Sequence, residues 1–186
     1  DSINYANIGK FYGAKVPFLR PKNISTNKST SFHAILHFLN FLKKKKNKFH
    51  ILLLLEPTSP LTTSKDIDNA VKFFSKKYNS ADSLVTIGEV DKFDKNSLFT
   101  LSKGYIRFSK KLKKELNNAR QNKHKEYFLD GSLYLGKINK ILKNKGFISK
   151  KTLTYKLEKY KNFEIDDKYD FKIISAIMKM IKNKNE

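Results

Sequence analysis

The 186-residue chain carries 39 Lys and Arg against 17 Asp and Glu, a formal charge of +22, with 39% hydrophobic residues and no cysteine. That apolar content excludes wholesale disorder and suits a single domain. The missing cysteine excludes disulfides, thiol catalysis and Cys-based zinc sites, and fits a reducing compartment. No apolar run approaches the ~18 residues of a membrane span. The charge invites a nucleic-acid reading, but the only arginines are Arg20, Arg107 and Arg120, and arginine is the residue that forks onto phosphates and guanines. The lysine runs at 43–46 and 110–114 read as solvated surface, which implies weak, salt-sensitive association with polyanions and no specific nucleic-acid site. The chain opens DSINYANIGK, with neither an initiator Met nor a signal pattern, and reads as a piece of a longer protein.

In chain order, Asp1 to Tyr12 is predicted as a helix with Ile3, Ala6 and Phe11 near one face and Gly13 as its stop. Lys15 to Leu19 reads as a short strand broken by Arg20-Pro21, and Asn23 to Ser29 as polar loop. Thr30 to Leu42 is predicted as a helix, with Phe32, Ile35, Leu36, Leu39 and Leu42 at helical spacing. His50 to Leu55 ends in five branched apolar residues, the pattern of a central strand buried on both faces. Pro57 and Pro60 stop it, leaving Thr58 and Ser59 at the carboxyl end, where open α/β sheets bind ligands. Thr62-Thr63-Ser64 offers N-cap candidates for a helix with Ile67, Ala70, Val71, Phe74 and Tyr78 as its stripe. Ser83 to Val90 is a strand. Leu98 to Phe108 reads as a hairpin about Ser102-Lys103-Gly104, and Ser109 to Lys125 is too polar for core. Phe128 to Leu135 returns to core, with Leu133 and Leu135 opposed to Ser132 and Tyr134. A short helix carrying Ile138, Ile141 and Leu142 is stopped by Gly146. Thr152 to Leu157 and Phe163 to Asp166 read as strands, and Asp167 caps a last helix with Phe171, Ile174, Ile177, Met178 and Ile181 on its apolar face. The alternation predicts an α/β fold, a mainly parallel sheet flanked by helices.

Two constellations carry chemistry. Glu164 and Asp166 are two apart, so on an extended segment they share a side and suit a Mg²⁺ ion. The alternative, acids favouring a helix N-terminus, is preferred for Asp167 and Asp170 and left open for the other two. His33 and His37 have zinc spacing on one helix, but no HExxH glutamate or third ligand is evident, and a place beside the core is preferred. No GxSxG, GxGxxG or GxxxxGK segment occurs, which leaves serine-nucleophile, dinucleotide and P-loop chemistry unsupported.

Five segments in order resemble the acylneuraminate cytidylyltransferases, the CMP-sialic acid synthetases and their legionaminate-type relatives. Phe18-Leu19-Arg20-Pro21 with Ser25-Thr26 resembles RP-x-x-L-[AS]-x-D. Glu56-Pro57-Thr58-Ser59-Pro60-Leu61 resembles QPTSPLR, and Ser80 to Val90 resembles DSVVSV-x-EV. Arg120-Gln121 followed by Asp130-Gly131-Ser132-Leu133-Tyr134 resembles RQ…NGA-x-Y. Glu164-Ile165-Asp166-Asp167 with Asp170 resembles DID-x-x-x-D. The resemblance implies a Rossmann-like fold of the nucleotide-diphospho-sugar transferase type, one domain over 1–186 with a β-hairpin dimerisation insertion at 91–127. It also implies a cytoplasmic homodimeric enzyme that transfers CMP from CTP to a nine-carbon sugar acid and releases pyrophosphate.

By the same resemblance Asp166 and Glu164 hold Mg²⁺ and are the catalytic pair. Arg20 and Ser31 contact the nucleotide. Glu56, Thr58, Ser59, Tyr134 and Phe147 line the sugar side, and Arg120 reaches the partner subunit. The chain departs from the family at Glu56 (usually Gln), Thr62 (Arg), Phe128 (often Arg), Asp130 (Asn) and Glu164 (Asp). Glu56 facing an anionic sugar acid implies a substrate with a donor-rich N-acyl or amino arm. The family's N-terminal strand and G-S-K nucleotide loop have no counterpart here, which implies an exposed sheet edge. Two alternatives follow: a catalytically impaired copy that only dimerises, and a basic polyanion-binding module.

Overall fold

The computed structural model describes residues 1–90, 100–103, 105–107 and 125–183. Helices α1 (Ile3–Phe11), α2 (Ser31–Lys44), α3 (Ser64–Lys76), α4 (Ile138–Asn144) and α5 (Lys168–Asn183) alternate with strands β1 (Ile51–Leu55), β2 (Ser83–Glu89), β3 (Thr100–Ser102), β4 (Tyr105–Arg107), β5 (Tyr127–Lys137) and β6 (Thr152–Lys156). The main sheet runs in the order β1-β5-β2-β6. β5 is antiparallel to both β1 and β2, and β6 is parallel to β2. Three of the four strands therefore point the same way, with β5 reversed between them, and the α/β reading with a mainly parallel sheet holds.

Strand alternation sorts the core into two layers. Leu53, Leu84, Leu133 and Leu135 face α3, where Ala70 and Phe74 are fully buried. Leu52, Leu54, Val85 and Tyr134 face the other side, against Ile35 of α2 and Ile141 of α4. Burying a side chain the size of Phe74 contributes about 2–3 kcal/mol. α3 is pinned at its start by a reciprocal capping box. The Asp66 N–H donates to Thr63 Oγ1 at 3.3 Å and the Thr63 N–H donates to Asp66 Oδ2 at 2.8 Å, satisfying two helix-end donors.

Several expectations change. β1 is not central: it pairs with β5 alone among the described residues. Ile51 and Leu55 are consequently 37% and 42% exposed, so a continuous apolar run here marks an edge strand. Lys15 to Leu19 forms no strand. It has no ladder partner among the described residues and is held by side chains instead, the Phe18 ring lying 4.6 Å from His37 and 5.1 Å from Phe41. Phe163 to Asp166 pairs in no ladder among the described residues and is anchored by the Ile165 N–H donating to the Thr58 carbonyl at 2.8 Å. α4 ends on Lys145, which takes the left-handed turn (φ 53°), rather than on Gly146. Val71, Phe171 and Met178, expected on buried faces, are exposed, as are Ile3 and Phe11 of α1. The β3–β4 hairpin forms with Ser102 opposite Tyr105. Most of 91–127, including Arg120 and the rest of the expected dimerisation insertion, lies outside the described residues. Among the described residues no helix is long and apolar enough to cross a membrane.

Candidate functional site

The site is built on an irregularity in β5. Along β2 the partners pass from Val85 to Ile87, while along β5 they pass from Tyr134 to Leu129. The surplus residues bulge out, and the bulge is Asp130-Gly131-Ser132-Leu133. Thr86, opposite it, closes the gap with its hydroxyl. It donates to the Leu133 carbonyl at 3.2 Å and accepts the Leu133 N–H at 3.0 Å. Asp130 is fully buried, and its Oδ1 accepts the Ser132 N–H at 3.1 Å in an Asx-type turn. Its Oδ2 is buried with no hydrogen-bond partner among the described residues. Gly131 takes φ +69°, open to glycine at little strain.

That glycine lets Glu164 in. A Cβ built on Gly131 would fall 1.6 Å from Glu164 Oε1 and 2.6 Å from its Cδ, so the carboxylate lies directly on the bulge. From the other side the buried Ser59 donates its hydroxyl to Glu164 Oε1 at 3.3 Å, a contact across 105 residues of sequence. Burial pushes the Glu164 carboxyl up, and the nearby charges of Asp166, Asp130 and Glu56 add to this against the Ser59 hydrogen bond. Burial, with Glu164, Glu56 and Asp130 adding, also pushes the Tyr134 phenol up. Tyr134 is backed by Phe147, ring centroids 5.5 Å apart. Phe147 is itself buried in the core, where its carbonyl accepts the Ser83 and Thr152 hydroxyls.

The walls are tied together from behind by Lys161, in the short 3₁₀ turn Lys159–Asn162. Its side chain is 8% exposed, and its Nζ donates to both Asp66 oxygens at 2.9 and 2.8 Å and lies 3.1 Å from Glu158 Oε2. Burial alone would raise the Asp66 carboxyl, but hydrogen bonds from Lys161 and Thr63 outweigh it and hold it below the ordinary aspartate range. The Lys161 carbonyl also accepts the Ser132 hydroxyl at 3.4 Å. One residue thus links the start of α3, the bulge and the segment carrying Glu164.

At the end of β1 a cleft of about 330 Å³ opens between that strand and α2, lined by Arg20, Ser31, Glu56 and apolar residues including Ile35, Phe38 and Leu54. Ser31 donates to Glu56 Oε1 at 3.4 Å. The Arg20 guanidinium is steadied by Asp1 (Nη2 to Oδ2, 2.7 Å) and Ser25 (Nε to Oγ, 3.1 Å). The structure therefore joins Arg20, Ser31 and Glu56 in the cleft and brings Ser59 onto Glu164, whose charge, with that of Glu56, is felt at Tyr134. Asp166 stays exposed, its charge felt at Glu164. Thr58 is exposed and contributes its carbonyl to the Ile165 N–H.

Asp167 and Asp170 cap α5 reciprocally, each carboxylate accepting the other's N–H at 3.0–3.1 Å, in line with the helix-end reading. His33 accepts the Thr30 N–H on Nδ1 at 3.1 Å and His37 packs on Phe18, which accounts for both without zinc. No group of three or more metal-ligating side chains lies close enough among the described residues to hold an ion.

Thr86 and Lys161 were not singled out from sequence, and Gly131 was named only as part of a motif, with no role. An isolated glycine inside a strand pattern signals a bulge or a close approach and could have revealed Gly131. Nothing distinguishes Lys161 from its many fellow lysines.

No family model matches the chain. It is 28% identical over 186 residues to the N-acylneuraminate cytidylyltransferase of Escherichia coli O18:K1:H7, a match covering 95% of this chain and 40% of that protein. It is 27% identical to the CMP-N,N'-diacetyllegionaminic acid synthase of Legionella pneumophila over 97% of this chain and 76% of that protein. The post-translational flagellin modification protein B of Campylobacter coli is 27% identical, over 96% and 74% respectively. The chain thus spans less than half the length of the E. coli relative. Its resemblance to this group of nucleotidyltransferases runs along nearly all of it.

Proposed function

We propose that this chain is a cytidylyltransferase of the acylneuraminate type, transferring CMP from CTP to a nine-carbon sugar acid with release of pyrophosphate. The observation that carries the reading is the meeting of Ser59, Glu164 and Gly131, from three distant segments that each resemble a family motif. The sugar's anomeric oxygen forms a bond to the α-phosphorus of CTP as the bond to the bridging oxygen of pyrophosphate breaks. Such a transfer needs alignment and charge neutralisation more than covalent help.

The donor set at the bulge suits a hard cation. Glu164 is pushed towards protonation by burial and by neighbouring carboxylates, a state that a bound cation relieves. Glu164 and Asp166 would hold Mg²⁺, with water and phosphate oxygens completing its shell, and the bound ion would neutralise phosphate charge. Ser59 fixes Glu164 in place, Tyr134 presents its hydroxyl towards the sugar with Phe147 behind it, and Arg20 and Ser31 serve the nucleotide. The expected subunit contact at 91–127, with Arg120 reaching the partner, makes the working form a homodimer.

The test is pyrophosphate release from CTP and Mg²⁺ with a panel of nine-carbon sugar acids, run on this chain and on the open reading frame containing it. Release with at least one acid supports the reading. No release above background with any acid, from a protein that folds and dimerises, overturns it in favour of an inactive dimerising partner.

A further inference from the structure

We propose that Lys161 is the positioning residue for Glu164: its buried clamp on the start of α3 sets the backbone so that the carboxylate lands on Gly131. The consequence for cation binding rests on the metal reading above; the placement itself does not.

Among the described residues Lys161 is the one lysine that is buried. Its ammonium donates to both Asp66 oxygens at 2.9 and 2.8 Å. Its carbonyl accepts the Ser132 hydroxyl of the bulge at 3.4 Å, and its N–H closes the 3₁₀ turn on the Glu158 carbonyl at 2.8 Å. Side chain, carbonyl and amide are thus all engaged. Burying an ammonium is costly, and a buried ion pair stabilises little beyond a well-packed apolar pair of similar volume. The contribution of this pair lies instead in where it sends the residues that follow.

Glu164 is three residues on, so even a fully extended backbone carries it no more than about 10 Å from the clamp. Just beyond it, the Ile165 N–H is held by the Thr58 carbonyl at 2.8 Å. The carboxylate therefore hangs between two fixed points. Its own contacts do not account for its place. The Ser59 hydroxyl reaches it over a long 3.3 Å, while burial and the charges of Asp166, Asp130 and Glu56 all disfavour an ionised group there. An acidic side chain so surrounded gains by turning to solvent, and the pinned backbone limits how far it can turn. Ser59 holds the carboxylate once it has arrived; Lys161 brings it there.

The experiment uses Asp66→Asn/Lys161→Met. It removes one charge of each sign, leaves no buried charge unpaired, and keeps an oxygen at position 66 for the Thr63 N–H. The readout of position needs no metal. In the wild type Gly131→Ala strikes Glu164, so it is expected to raise the urea-unfolding equilibrium constant about tenfold more than it does in a Glu164→Ala background. In Asp66→Asn/Lys161→Met the same cycle is expected to show an excess of about twofold or less. Calorimetric titration with MgCl₂ reads the consequence, about tenfold weaker binding in the paired variant. An excess that persists undiminished overturns the proposal, whatever happens to Mg²⁺. Loss of the excess with Mg²⁺ binding unchanged, or absent already in the wild type, leaves the placement standing and overturns the metal reading of Glu164 instead. If the paired variant fails to fold, Lys161→Gln enters the same cycle. Loss of a nearby positive charge would by itself tighten Mg²⁺, so weaker binding with a reduced excess supports the positioning role, and an undiminished excess overturns it.

Discussion

Gly131→Ala probes the bulge most directly. The left-handed backbone at φ +69° costs an alanine about 1 kcal/mol. The added methyl would sit 1.6 Å from Glu164 Oε1, an impossible contact, so the carboxylate must leave. Its departure forfeits the 3.3 Å hydrogen bond from Ser59, a bond to a charged group contributing about 1.5–3 kcal/mol in a favourable setting. The length and partial exposure of this one favour the low end. The expected loss is therefore about 2–3 kcal/mol in urea unfolding at neutral pH. The assay is a double-mutant cycle with Glu164→Ala, which removes the atoms the methyl would strike. In that background Gly131→Ala should cost only the backbone strain, about 1 kcal/mol, giving a coupling of about 1–2 kcal/mol. An equal cost in both backgrounds would refute the claim that the glycine exists to admit Glu164. Because the displaced group is the proposed metal ligand, Gly131→Ala should also weaken Mg²⁺ binding as strongly as Glu164→Ala does.

Two further substitutions test the supports of the site. Thr86→Val keeps the shape but strips the hydroxyl that satisfies both polar groups of Leu133; a buried N–H and C=O left bare should lower stability by about 1–3 kcal/mol in urea unfolding, and a neutral result would mean the bulge closes without it. Lys161→Met breaks a buried tie to Asp66 and should cost about 3–5 kcal/mol near pH 7. Asp66 is held below its ordinary range, so its contribution is present above the unfolded aspartate pKa and is lost as pH falls through the lower folded value. The gap between Lys161→Met and wild type should accordingly narrow below about pH 4, and a gap constant from pH 7 to pH 3 would contradict the assignment.

Helical stripes and capping residues were legible because they are local. Thr63 caps α3 as its neighbours suggest, and Ala70 and Phe74 reach the core at the predicted spacing. The position of a strand in the sheet was not legible. ILLLL reads as doubly buried because every residue is apolar, yet lateral pairing is set by distant segments and leaves β1 at the edge. Lys15 to Leu19 and Phe163 to Asp166 have strand-like composition but find no ladder among the described residues, one held by rings on α2 and the other by bonds to the Thr58 carbonyl, the Ser59 hydroxyl and the Asp170 carboxylate. The motif residues were recognisable by type and order. Their grouping was not, since the pairing of the Ser31 hydroxyl with the Glu56 carboxylate depends on where α2 packs.

The long reach of the contacts at Glu164 has a consequence for how the molecule comes into being. Ser59 meets Glu164 across 105 residues and Asp66 meets Lys161 across 95. Contacts of such sequence separation close late and slow folding. During synthesis, the pairing of β1, β5 and β2 lies within the first 137 residues, whereas the pocket's carboxylate arrives only with the segment after β6. A nascent chain stopped before that segment would own a sheet and the Arg20–Ser31–Glu56 cleft, but not the carboxylate on the bulge. The carboxylate's meeting with Ser59 is thereby among the last contacts the chain can make.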